Sequence, residues 1–97
     1  MYALIGRVQI KQGHEEETAA MAQEHGPALV HGMAGSKGAY WARAADGDGA
    51  PIQHSFWLFE TEKDARAAET VFISLRDMPQ APAVLISAEV CEVISQL

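Results

Sequence analysis

The 97 residues predict an α+β sandwich of the ferredoxin-like type, βαββαβ, with its helices on one face of a four-stranded antiparallel sheet. Three observations carry this. Four segments show strand patterning and two show helical periodicity, in the order β-α-β-β-α-β. The connections are short and rich in turn residues. Right-handed crossovers and a hairpin between the middle strands then leave few other arrangements.

The first strand is read over residues 2–11, where Tyr2, Leu4, Val8 and Ile10 alternate with Ile5, Arg7, Gln9 and Lys11. Gln12-Gly13 ends it. Residues 14–31 read as helix. Glu15, Glu16 and Glu17 suit the positive end of the helix dipole. Gly26-Pro27 breaks the ladder, because proline lacks an N–H and clashes with the preceding turn. A stop or kink near His25 is expected, with Pro27 opening a second short helical piece through His31.

The second strand is read over residues 37–44 and the third over residues 52–60, joined by the turn Asp46-Gly47-Asp48-Gly49-Ala50-Pro51. The second helix starts at Thr61, three residues before Asp64, in the pattern of a capping box. Ala65, Ala68, Phe72 and Leu75 form its apolar face, with Arg66 and Arg76 expected off that face. Pro79 and Pro82 end it, and residues 83–94 form the last strand.

The length suits one domain over 1–97. A net charge of -6 with scattered basic residues disfavours nucleic acid. No apolar run is long enough for a membrane span. The apolar start is too short for a signal peptide, and the lone Cys91 suits a reducing cytoplasm.

Strand three carries large apolar residues on both parities: Phe56 and Leu58 on one, Trp57 and Phe59 on the other. Val84 and Ile86 face away from Leu85. A sheet buried on both faces reads this way. The expected partner is a second copy, packed through the sheet faces into a homodimer.

Several of these features resemble the dimeric α/β-barrel superfamily, in its branch of antibiotic-biosynthesis-monooxygenase-like (ABM-like) domains. They are the element order, Lys11-Gln12-Gly13 leading into an acidic helix, Gly38-Ala39-Tyr40, and Phe59-Glu60-Thr61-Glu62-Lys63-Asp64-Ala65. The resemblance covers nearly the whole chain through turns and junctions. It implies a barrel of two sheets and a pocket between sheet and helices in each subunit. It also implies oxidation of aromatic or quinol-type molecules, without flavin or haem. Haem-degrading members use an Asn on strand one and a His on the second helix. This chain has no Asn, and residues 61–78 hold no His. Many members carry Trp where this chain has Phe59.

His54 could act as a base or hold a phenol, Tyr40 could hold a substrate oxygen, and Arg7 could stabilise an oxyanion. Each has a plainer role available: a structural histidine, core packing, and a salt bridge from Arg7 to Glu60, Glu89 or Glu92. These three are the expected catalytic residues. Trp41, Trp57 and Phe59 are the expected substrate walls. Arg43 is read as a surface edge residue. No metal-ligand spacing occurs among the histidines, and no metal is expected. Asp46-Gly47-Asp48-Gly49 lacks the later acidic ligand of a calcium loop.

Two readings follow. One is a cofactor-independent monooxygenase for a small aromatic, signalled by coherent polar groups inside the pocket. The other is a non-enzymatic, dimeric ligand-binding or stress-related module, signalled by a collapsed or wholly apolar pocket.

Overall fold

The structure is a computed structural model that describes residues 1–43 and 51–97. Its elements are β1 (Tyr2–Ile10), α1 (Glu15–Glu24), α2 (Gly26–His31), β2 (Ser36–Arg43), β3 (Ile52–Phe59), α3 (Glu62–Arg76) and β4 (Ala83–Glu92). The sheet order is β2-β3-β1-β4, and every neighbouring pair is antiparallel. This is the ferredoxin-like α+β sandwich the sequence predicts. The expected hairpin turn at Asp46–Gly49 lies outside the described residues.

The start of α3 is set by local chemistry. The Thr61 hydroxyl oxygen accepts from the Asp64 backbone N–H at 3.2 Å, satisfying one orphan donor at the start of α3. The expected interruption near His25 is present as the break between α1 and α2. Gly26 is buried there because the Trp41 indole lies against it; a Cβ would come within 2.7 Å of the ring. Pro27 follows in the first turn of α2.

The parity of β1 and β3 divides the sheet. Leu4, Gly6, Val8 and Ile10 face the helices, paired through Leu4↔Trp57, Gly6↔Ser55 and Val8↔Gln53. Ala65, Ala68 and Phe72 of α3 press on them, joined by Phe59 and Ala83. Phe72 meets Trp57 edge-on, with centroids 5.4 Å apart. At Gly6 any Cβ would collide with the Phe72 ring, so this strand position admits only glycine at this helix spacing.

Among the described residues no helix lies over the opposite sheet face. Ile5, Arg7, His54, Phe56, Leu58 and Tyr40 lie there, with the Tyr40 and Phe56 rings stacked at 4.6 Å. Tyr40 is 57% exposed, Val84 53% and Ile86 45%. A register shift of β4 against β1 falls between Arg7 and Val8.

Two expectations, on Arg76 and Arg7, need correction. Arg76 is not off the apolar face of α3: it follows Phe72 by four residues, and its guanidinium carbon stands 5.1 Å over that ring. Arg43 is exposed on the edge strand β2, as expected, and in addition bonds to α1 and β3. Arg7 makes no salt bridge to Glu60, Glu89 or Glu92; its neighbours across the strands are His54 and Ser87.

Candidate functional site

A cavity of about 430 Å³ lies between the helix side of the sheet and the helices. Val8, Trp41, Gln53 and Trp57 form its floor. Met21, Ala22 and Leu29 of α1 and α2 wall one side, and Leu75, Arg76 and Met78 the other. A shallower groove of about 560 Å³ runs along α2 and β2, past His31, Lys37 and Trp41. The cavity is the better candidate because it is more enclosed and holds buried polar groups.

Its walls are apolar, and its polar groups are few and mostly donors. Trp57 is 2% exposed, and its indole N–H has no hydrogen-bond partner. The Arg76 Nε–H is likewise buried and unpartnered. Burial pushes the Arg76 pKa below its ordinary value, because the charged form loses hydration. Buried donors rarely stay unpaired; both belong to residues that line the cavity, although neither donor atom itself presents surface to it. His25 reaches the cavity from its solvent-exposed rim. Ser55, between Gln53 and Trp57 on the same parity of β3, is also buried with an unpartnered hydroxyl.

The residues singled out in the sequence separate by face. Trp41 and Trp57 line the cavity. Phe59 is fully buried in the same core cluster as Phe72 and does not line it. Arg7, Tyr40 and His54 come together on the open face of the sheet, away from the cavity. The expectation that one of these three lines the cavity is therefore not met among the described residues.

Among the polar residues that do line it, Gln53 and Arg76 were missed. Their signal was available. Gln53 shares the parity of Trp57, and Arg76 the helical phase of Phe72.

No family model matches the chain, and no curated protein matches it significantly. Solved structures do match in fold. One is a mutant of MhuD with two manganese protoporphyrin IX bound per active site. It has a TM-score of 0.67 at 18% identity, covering 100% of this chain and 98% of that one. Another is a monooxygenase from the gene ActVA-Orf6 of Streptomyces coelicolor in complex with Nanaomycin D. It has a TM-score of 0.57 at 12% identity, covering 99% and 90%. The chain thus has the ABM-like fold that the resemblance implied.

The residues at this cavity do not fit a haem. The middle of β1 presents Gly6 beneath the Phe72 ring, and α3 offers no imidazole to an iron. The nearest histidine, His25, sits on the exposed rim. Among the described residues no three His, Cys, Asp or Glu gather as metal donors.

Proposed function

We propose that this chain is a cofactor-independent monooxygenase that oxidises a small aromatic, quinol-like molecule in the cavity between sheet and helices. The carrying observation is the pair of buried donors without a partner among the described residues, Trp57 Nε1–H and Arg76 Nε–H, on residues that line a largely apolar cavity. An electron-rich aromatic reacts with oxygen once it has lost a proton. The site must then stabilise the resulting anion and exclude water. Arg76 supplies the charge and Trp57 a neutral donor. The Trp41 and Trp57 indoles give flat walls to an aromatic ring. His25 at the rim can take the proton. For an anthrone the balance is a ring CH2 plus O2 giving a ring C=O plus H2O, with no external reductant.

The two solved neighbours bind a porphyrin and Nanaomycin D, both flat conjugated molecules, which favours an aromatic ligand here. The alternative, a binding module without chemistry, called for a collapsed or wholly apolar pocket. Gln53, Trp57 and Arg76 give this one polar donors.

The open sheet face is proposed to be covered by a second copy. It is apolar, and it carries Arg7 and Glu89, separated by one strand pairing through Ile5. A two-fold, face-to-face contact can set Arg7 of each copy against the opposite acidic charge, so the surface is self-complementary. In this arrangement Arg7, Tyr40 and His54 serve the interface.

Oxygen uptake with a panel of hydroquinones and anthrones tests the activity. Wild type should exceed the uncatalysed rate with at least one substrate, and Arg76→Met should lose that excess. Uptake at background for every substrate would defeat the reading.

A further inference from the structure

We propose that Arg43 is a positioning residue that fixes Gln53 as a donor toward the cavity, so that the cavity selects the phenolate over the neutral phenol. The proposal rests on the cavity as the ligand site and does not depend on oxygenase chemistry.

Arg43 on β2 pairs with Gln53 on β3, on the helix side of the sheet. One terminal guanidinium nitrogen of Arg43 donates to three oxygens: Thr18 Oγ1 at 2.9 Å, the Glu15 carbonyl at 3.1 Å and Gln53 Oε1 at 3.3 Å. The Thr18 hydroxyl hydrogen is already directed to the α1 carbonyls of His14 and Glu15, so its oxygen is free to accept.

A guanidinium has only donors. Whatever amide stands beside it must present its oxygen, and this settles which way Gln53 points. Its NH2 group is turned away from Arg43. Gln53 is 7% exposed and lines the cavity, and its NH2 group makes no hydrogen bond among the described residues.

Gln53 therefore joins Trp57 and Arg76 as a donor without an acceptor. Beside these three donors a neutral phenol brings a further donor, and its hydroxyl hydrogen must turn away to an acceptor elsewhere in the lining, such as Gln80. A phenolate oxygen accepts only, and the Arg76 charge favours it further. Arg43 touches no ligand in this scheme; it acts through Gln53.

The probe is 4-nitrophenol, whose phenolate absorbs in the visible and whose neutral form does not. It is titrated with protein at a pH below its own pKa. Wild type should raise the phenolate band saturably, with a preference for the anion of about tenfold or more. Gln53→Glu keeps a partner for Arg43 and so should keep the near-ultraviolet circular dichroism. It places an acceptor at the cavity and should abolish the rise. Arg43→Met should weaken the rise, and Arg43→Lys, also a pure donor, should restore part of it. Should Gln53→Glu fail to fold, Gln53→Met is read in its place and should lower the band at least severalfold.

A wild type that leaves the band unchanged overturns the proposal. So do folded Gln53 and Arg43→Met variants that raise it as fully as wild type. Oxygen plays no part in this titration. A protein that ionises the probe but consumes no oxygen loses the oxygenase reading and keeps this one. A protein that consumes oxygen but leaves the probe neutral does the reverse.

Discussion

The guanidinium of Arg76 lies over the Phe72 ring, one turn earlier on α3, with 5.1 Å from its central carbon to the ring centroid. The stem thus packs on the core while Nε remains buried without an acceptor. The aromatic face offsets part of the lost hydration, and burial still depresses the pKa. Arg76 as a whole is half-buried, so the cost of its charge is partial and falls on Nε.

The first prediction follows from that cost. Arg76→Met keeps the length of the stem and removes the charge. Stability should be unchanged or higher by about 1 kcal/mol. Quinol oxidation should fall at least about tenfold. A urea midpoint and an oxygen-uptake rate measure the two, and a loss of both together would point to a purely structural arginine.

The second concerns the contact that seats α3. Phe72→Ala should cost about 3–5 kcal/mol in denaturant unfolding. Gly6→Ala drives a methyl into the Phe72 ring and should cost about 1–3 kcal/mol. An unfolding midpoint for Gly6→Ala equal to wild type would show that α3 shifts freely.

The fold was legible because its signals are local. Thr61 and Asp64 form a cap within one turn, Gly26-Pro27 breaks a helix wherever it stands, and alternation in β3 survives any packing. The site was less legible because it depends on which parity the helices cover. Both parities of β3 are apolar, so Phe56 and Trp57 look alike in sequence. Only the seating of Phe72 on Gly6 decides between them. That choice places Trp57 at the cavity and His54 on the open face. Arg43 offered no local signal either, since its partners are 10, 25 and 28 residues away in sequence.

The third prediction separates the two faces. Phe56→Asp, on the open face, should give a folded monomer of 10.5 kDa by light scattering, where wild type should give twice that mass. Trp57→Asp, beneath the helices, should unfold the chain instead. A wild type of monomer mass at micromolar concentration would contradict the proposed dimer.

A fourth, smaller test addresses the α3 cap. Thr61→Ala removes the acceptor for the Asp64 N–H and should lower stability by about 1 kcal/mol, with oxidation rates unchanged. Thermal unfolding followed by circular dichroism reads it.

The central claim is that an aromatic ligand occupies the cavity between sheet and helices, and the protein carries its own reporters there. Its two tryptophans, Trp41 and Trp57, both line that cavity. Titration with a soluble quinone should quench the tryptophan emission saturably, and Ala22→Phe, which fills the cavity, should weaken binding at least about tenfold. Quenching that rises linearly without saturation, or that is the same in Ala22→Phe, would contradict the account.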